Sequence, residues 1–291
     1  MELYDYHPSP IMSKTIFMDG EIYFMIAQLD APYILTSEHI EAYQRDGYIK
    51  LKDVFDEATI TYWGDVFMEL VEEYNKQHTP LEQRDTYGMA FLQISNLWVN
   101  DDRAKTFAFS KRLAQIATEL MQVDGVRMYH DQALFKEPGG GFTPWHVDQF
   151  YWPLSTSNCV TAWVPLQETP LEMGPLQFAV GSQQIMEHRN LGISDESERK
   201  IGQSLKDFPK DNSAYDLGEV SFHSGWTFHR AGPNQTETMR KVMTIIYLED
   251  GMRVAEPNSE AQQNDLKTWM PNTAISDVIQ TELNPVLYSK E

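Results

Sequence analysis

Pro144-Trp145-His146-Val147-Asp148-Gln149 places an imidazole and a carboxylate two residues apart. In extended chain, residues i and i+2 point to one side, so His146 and Asp148 can converge on one point, as two ligands of one metal must. A third ligand would complete a two-histidine, one-carboxylate triad, the set that holds iron(II) while leaving positions open for reactants. The histidines downstream are His188, His223 and His229. His188 stands in a polar stretch, a poor place for a rigid ligand. His223 and His229 flank Ser224-Gly225-Trp226-Thr227-Phe228, and spacing alone does not choose between them. A His-x-Asp pair arises often by chance, so its meaning depends on the elements around it.

Those elements change in texture along the chain. Residues 1–35 are rich in aromatics and prolines (Tyr4, Tyr6, Pro8, Pro10, Phe17, Tyr23, Phe24, Tyr33) and predict an ordered arm packed on the main body. Thr36-Ser37 precedes an amphipathic run over His39–Tyr43, a helix start with capping hydroxyls. Asp46-Gly47 ends it, and Tyr48-Ile49-Lys50-Leu51 alternates like a strand. Asp56 to about Asn75 predicts a longer amphipathic helix, and 101–123 another, with Phe107, Leu113, Ile116, Ala117 and Leu120 on one side. From Val126 onward short strands are predicted at Val126–Lys136, Val160–Leu166, Gly174–Phe178, Glu219–Phe222 and Lys241–Leu248, punctuated by Gly and Pro. Helices first and strands afterwards predict an α+β domain with a β-barrel or two-sheet roll. Residues 187–215 are polar without a clear period and read as a surface excursion or lid.

The order of motifs is more specific than any one of them. His130-Asp131-Gln132-Ala133-Leu134-Phe135-Lys136-Glu137-Pro138-Gly139 runs into Trp145-His146-Val147-Asp148. Thr161-Ala162-Trp163-Val164-Pro165-Leu166, Gly174-Pro175-Leu176 and Val180-Gly181-Ser182-Gln183 follow. Phe228-His229-Arg230-Ala231-Gly232-Pro233-Asn234 then precedes Arg240. In this order and spacing the chain resembles the phytanoyl-CoA dioxygenase family of iron(II)/2-oxoglutarate-dependent oxygenases, from about Thr36 to Asn284-Pro285-Val286-Leu287-Tyr288. The resemblance implies one domain over 1–291, with a double-stranded β-helix (jelly-roll, cupin-like) core and flanking N-terminal helices.

It also implies a metal triad of His146, Asp148 and His229, the last standing in a His-x-x-Gly-Pro-Asn pattern. The family arginine for the distal carboxylate of 2-oxoglutarate falls on Arg240, eleven residues after His229; a planar guanidinium suits a bidentate carboxylate. Many members carry a serine two residues after the last histidine, where this chain has Ala231. Arg240 then acts alone, or Thr161 supplies the hydroxyl. Gln132 is a further candidate contact to the cosubstrate and Trp163 a candidate wall. The implied cofactors are Fe(II), 2-oxoglutarate and O₂, and the implied reaction hydroxylates a C–H bond, releasing succinate and CO₂. An aspartate at 148 argues against halogenation.

Composition bounds the partners. A net charge of −20 repels nucleic acid phosphate and anionic membrane surfaces and mildly disfavours a coenzyme A thioester. No run approaches the length of a membrane span, and the acidic start lacks the features of a signal peptide, which predicts a cytoplasmic protein. The single cysteine, Cys159, lies in an apolar stretch and is expected to be a buried hydrophobe. Phe150, Tyr151, Trp152, Trp226 and Phe228 flank the ligands and are candidate substrate contacts, giving an aromatic pocket for a small organic molecule. Arg189, Arg199, Lys200 and Lys206 in the excursion could meet a substrate carboxylate, although a solvated loop explains them better. The competing readings are an inactive 2-oxoglutarate or iron sensor and another cupin-type metalloenzyme.

Overall fold

The computed structural model describes residues 19–290. Tyr4, Tyr6, Pro8, Pro10 and Phe17 of the expected arm lie outside the described residues. The rest of the arm begins with helix α1 (Asp19–Asp30), which buries Met25 and Leu29 but leaves Tyr23 76% and Phe24 57% exposed, so one face alone docks. Helix α2 (Ser37–Asp46) starts at Thr36, whose side chain accepts the His39 N–H, and stops at Gly47 with φ +81°. Strand β1 (Tyr48–Leu51) and helix α3 (Glu57–Tyr74) follow. Short elements α4 (Thr86–Ala90), β2 (Leu92–Ser95), α5 (Leu97–Asn100) and α6 (Asp102–Ala108) lead to α7 (Lys111–Met121).

The single helix expected over 101–123 is therefore two, α6 and α7. Ser110 divides them: its hydroxyl accepts the Leu113 N–H, capping α7, and donates to the Leu29 carbonyl. Hydrophobic spacing runs through this break because both helices bury their apolar faces in one cluster. Phe107 sits at its centre, with ring centroids 5.2 Å from Phe67, 5.3 Å from Trp63 and 6.3 Å from Phe55.

The strands are β3 (Gly125–Phe135), β4 (Thr143–His146), β5 (Cys159–Pro165), β6 (Leu176–Ala179), β7 (Lys210–Asp211), β8 (Val220–Ser224), β9 (His229–Ala231), β10 (Val242–Glu249) and β11 (Val286–Ser289). Seven form an antiparallel sheet in the order β1-β8-β5-β10-β3-β11, with β2 also on β3; four form a second, β4-β9-β6-β7. The α3, α6 and α7 faces cover the outer side of the large sheet. Its inner side and the small sheet enclose the site, which is the two-sheet roll expected from the sequence.

The polar excursion over 187–215 contains helix α8 (Asp195–Ser204), opened by a Ser194 cap. In α8 and its C-terminal cap only Ile201 and Leu205 are large buried apolar residues, too few to print a period on the sequence. They pack with Trp145, Val147 and Phe228 beneath the small sheet. Helix α9 (Glu260–Trp269) closes the C-terminal side. No helix among the described residues is long and apolar enough to cross a membrane.

Truncating Phe107 to Ala removes a fully buried ring from this cluster. The expected loss is about 3–5 kcal/mol of unfolding free energy, read from urea denaturation of the two proteins.

Candidate metal centre and active site

Strands β4 and β9 pair so that His146 and His229 are register partners, with ring centroids 4.2 Å apart. Each imidazole is fixed by the carbonyl two residues before it. His146 Nδ1 lies 2.7 Å from the Pro144 oxygen and His229 Nδ1 2.9 Å from the Thr227 oxygen. A carbonyl can only accept, so Nδ1 carries the proton in both rings and Nε2 presents its lone pair. Burial pushes both imidazoles down to about 4, which keeps them neutral.

Asp148 stands where the chain leaves β4 through Val147 into a short 3₁₀ turn (Asp148–Phe150). Its two oxygens divide their partners. Oδ1 faces His146 Nε2 at 3.6 Å and His229 Nε2 at 3.5 Å. Oδ2 accepts from the Thr161 hydroxyl at 2.9 Å and contacts His223 Nε2 at 3.1 Å. Burial alone would raise this carboxyl; the hydrogen bond from His223 is among the interactions that bring it far below the usual carboxylate range. The candidate ligand atoms of His146, Asp148 and His229 all lie within 4.8 Å of one another. Ligand atoms about 2.1 Å from one ion stand roughly 3–3.5 Å apart, so this set fits a single first-row cation with little movement. His223, the other histidine that spacing left open, holds the far side of the carboxylate.

The triad opens into a cavity of about 470 Å³. Arg240 lines one end of it and is only 2% exposed. Its Nη1 donates to the Gly174 carbonyl, and its guanidinium carbon is 5.5 Å from the Trp163 ring centroid. Arg240 Nε is buried without a hydrogen-bond partner among the described residues. An orphaned N–H on a buried cation costs free energy until an acceptor arrives, which is what a 2-oxoglutarate carboxylate would supply. Trp163, Leu176, Phe178, Tyr215, Ala231 and Val242 form the apolar shell of this end. Gly174, at φ +72°, approaches the loop after His229 so closely that a Cβ would lie 2.3 Å from the Gly232 oxygen.

Gln132 and Trp163 line the cavity as expected. Thr161 does too, but its hydroxyl is engaged with Asp148 rather than free beside Arg240. The hydroxyl absent at Ala231 has another neighbour: Thr143, the register partner of Ala231, lines the same cavity. Of the aromatic candidates, Tyr151 and Trp152 line the cavity, while Phe150, Trp226 and Phe228 do not. These three turn to the opposite face of the ligand-bearing segments and pack around Trp145, Val147 and α8.

The basic residues of the excursion do not line the cavity either; Arg189 lies over the Trp226 ring at 4.4 Å and Lys200 pairs with Glu196 at 2.6 Å. The excursion reaches the cavity at Ile193, whose N–H donates to the Tyr151 hydroxyl at 2.9 Å, and it also braces the small sheet. Glu198 accepts the Trp145 N–H at 2.9 Å and pairs with Arg230 at 2.7 Å, gripping the neighbours of both candidate ligand histidines. Cys159 is buried as expected. Sequence reading missed His223's contact with Asp148 and the cavity residues Tyr87, His130, Thr244, Asp265 and Trp269. His130 stands two residues before Gln132 on β3, a spacing that puts both side chains on one face.

The family model for phytanoyl-CoA dioxygenase (PhyH) matches residues 43–242. The chain belongs to this family of non-haem iron(II), 2-oxoglutarate-dependent dioxygenases. The family's cofactor set, iron and 2-oxoglutarate with O₂, is the one that the donor set and Arg240 fit. A probable alpha-ketoglutarate-dependent hypophosphite dioxygenase of Stutzerimonas stutzeri is 28% identical over 131 residues, a match covering 43% of this chain and 46% of that protein. The chain thus aligns with about half the length of this curated relative. Among solved structures, the non-heme alpha ketoglutarate dependent carbocyclase SnoK from nogalamycin biosynthesis superposes with a TM-score of 0.73 at 19% identity, covering 88% of this chain and 99% of that one. The epimerase SnoN, in complex with Fe³⁺, alpha ketoglutarate and nogalamycin RO, superposes at 0.71 and 20% identity, covering 86% and 98%. At these identities the structures establish the shared double-stranded β-helix fold.

Replacing Thr161 with Val removes the donor that orients Asp148 Oδ2 while conserving shape. Iron(II) affinity, measured by anaerobic equilibrium dialysis, is expected to fall about 10–100-fold.

Proposed function

We propose that this chain oxidises, by hydroxylation, a C–H bond of a small organic molecule, coupled to conversion of 2-oxoglutarate to succinate and CO₂. The observation that carries the reading is the combination of a complete triad with a buried, incompletely partnered Arg240 in one cavity. A metalloprotein without use for a dicarboxylate gains nothing from a fully buried cation there, since burial alone pushes the guanidinium down to about 10.

His146, Asp148 and His229 would hold the metal, with Thr161 and His223 fixing the carboxylate. Arg240 would take the distal carboxylate of 2-oxoglutarate, with Thr143 the nearest candidate for the hydroxyl that Ala231 lacks. Trp163 would wall that end, and Gln132 would offer a polar contact midway. When bound, iron(II) with 2-oxoglutarate and O₂ supplies the oxidising power. The protein's own residues orient the cosubstrate towards one end of the cavity and leave the other end for the molecule to be oxidised. On the inner face Thr244 pairs with Gln132 in the row of Trp163, towards Arg240, and Ile246 pairs with His130 in the row of Thr161 and His223, level with Asp148; all of them line the cavity.

Carbocyclisation and epimerisation are the reactions named for two fold relatives. Hydroxylation is preferred here because it requires no feature beyond the metal, the cosubstrate and a positioned C–H bond. The size of the cavity favours an organic substrate over an ion as small as hypophosphite.

Succinate formed from 2-oxoglutarate is expected to require iron(II) and O₂ and to be lost in His146→Ala and Asp148→Ala. Arg240→Ala should weaken 2-oxoglutarate binding by roughly 30-fold or more, the effect of removing one partner of a buried charged pair, about 2–5 kcal/mol. Succinate formation independent of iron, or a 2-oxoglutarate requirement unchanged in Arg240→Ala, would overturn the reading.

A further inference from the structure

We propose that the end of the cavity remote from Arg240 is a subsite for a basic nitrogen, so that the substrate is a small organic amine or ammonium compound held between Trp152 and Trp269 against the Asp265 carboxylate. The proposal deepens the oxygenase reading and rests on it for the chemistry that follows binding.

The strand register gives the cavity two ends. Arg240 pairs with Lys136 at the close of β3, and His130 lies six residues back along the same strand. About 20 Å of strand therefore separates the two backbone positions. At the His130 end the walls are aromatic. The Trp269 ring lies 4.8 Å from the His130 ring at 34°, and the Trp152 ring 6.3 Å away at 81°. Asp265 precedes Trp269 by four residues on α9, so the two share one helix face, and both line the cavity.

Asp265 accepts hydrogen bonds from the Tyr129 hydroxyl and from the Trp269 side chain. A carboxylate can accept about four such bonds. Capacity therefore remains on a group that faces the cavity. His130 supplies a second polar atom: the residue is 3% exposed, and its Nδ1 is buried with no partner among the described residues. Burial pushes its pKa down to about 4, so the ring is neutral and can accept a hydrogen bond.

These groups select by charge. Indole faces attract a desolvated cation, and a carboxylate beside them completes the attraction. Burial raises the Asp265 carboxyl to about 7, and an arriving cation would hold it ionised. Among the described residues lining the cavity, Arg240 is the one arginine or lysine, and it belongs to the opposite end. The cavity is thus polarised, with its cationic end for a dicarboxylate and its anionic, aromatic end for a base. The chain's charge of −20 favours encounter with a cation as well. A small oxyanion would find no cationic partner at Asp265 and would leave the aromatic walls unused. Asp265 and Trp269 also fall outside the family match, which ends at residue 242, so the carboxylate and one of the two indoles at this end come from the chain's C-terminal segment.

The test is calorimetric titration of the iron(II)-loaded protein without oxygen, with and without 2-oxoglutarate. The probes are 2-phenylethylamine, 2-phenylethanol, 3-phenylpropionate and hypophosphite. The amine is expected to bind about tenfold or more tighter than the other three. Asp265→Asn should bring the amine to within about twofold of the alcohol, and Trp269→Leu should weaken the amine while leaving 2-oxoglutarate binding unchanged. Equal or tighter binding of the alcohol or either anion, a preference that survives Asp265→Asn, or no binding by any ring compound would overturn the proposal. Failure of 2-oxoglutarate to bind the iron-loaded protein would instead count against the oxygenase reading, because the amine preference is read separately in its absence.

Discussion

The Asp148 carboxylate is the point on which the site depends. Four groups converge on it, and its two oxygens keep them apart: Nε2 atoms of two carbonyl-locked histidines on Oδ1, and Thr161 and His223 on Oδ2. Burying an unpaired carboxylate would be strongly unfavourable, so the arrangement must be completed by hydrogen bonds on one side and by a cation on the other. The same division explains why two histidines so close in sequence have different places. His229 is on the small sheet, opposite His146, whereas His223 is on the large sheet, opposite Thr161.

The rest of the fold holds these two sheets at the separation the carboxylate requires. Gly47 shows how far that constraint reaches. Its carbonyl accepts from the Ser224 amide at 2.9 Å and from the Thr227 hydroxyl at 2.6 Å, tying the N-terminal helix and strand to the segment that delivers His229. A Cβ at Gly47 would lie 2.5 Å from Gln183 Oε1 and 2.6 Å from Thr227 Oγ1. At the other end, Lys136 donates to the carbonyls of Gly141 and Gly232, binding the loop before β4 to the loop after β9. Burial, with Arg240 nearby, pushes this lysine down to about 6, so it can serve there as a neutral donor.

The residues that were legible in the sequence are those whose roles are local or motif-bound. His146 and Asp148 share a side because the chain is extended through Val147. The helix ends at Thr36 and Gly47 carry their own capping chemistry. Arg240 and His229 came from the family pattern and meet the triad in one cavity. Contacts made across the fold were not legible. Phe228 precedes His229 and faces α8 because neighbours along an extended chain alternate sides, whereas Phe150 and Trp226 stand in turns, where no alternation tells which way a side chain points. Helix α8 was invisible because it buries little besides Ile201 and Leu205. Asp265 and Trp269 reach the cavity from a C-terminal helix that no spacing connects to the triad.

The most direct test of the central claim is the iron(II) stoichiometry of His223→Phe beside His229→Phe, measured after anaerobic loading and gel filtration. If iron sits on the Oδ1 side, His223→Phe retains about one iron per chain, held more weakly, whereas His229→Phe retains almost none. Retention by His229→Phe together with loss in His223→Phe would place the metal on the other side of Asp148 and contradict the assignment.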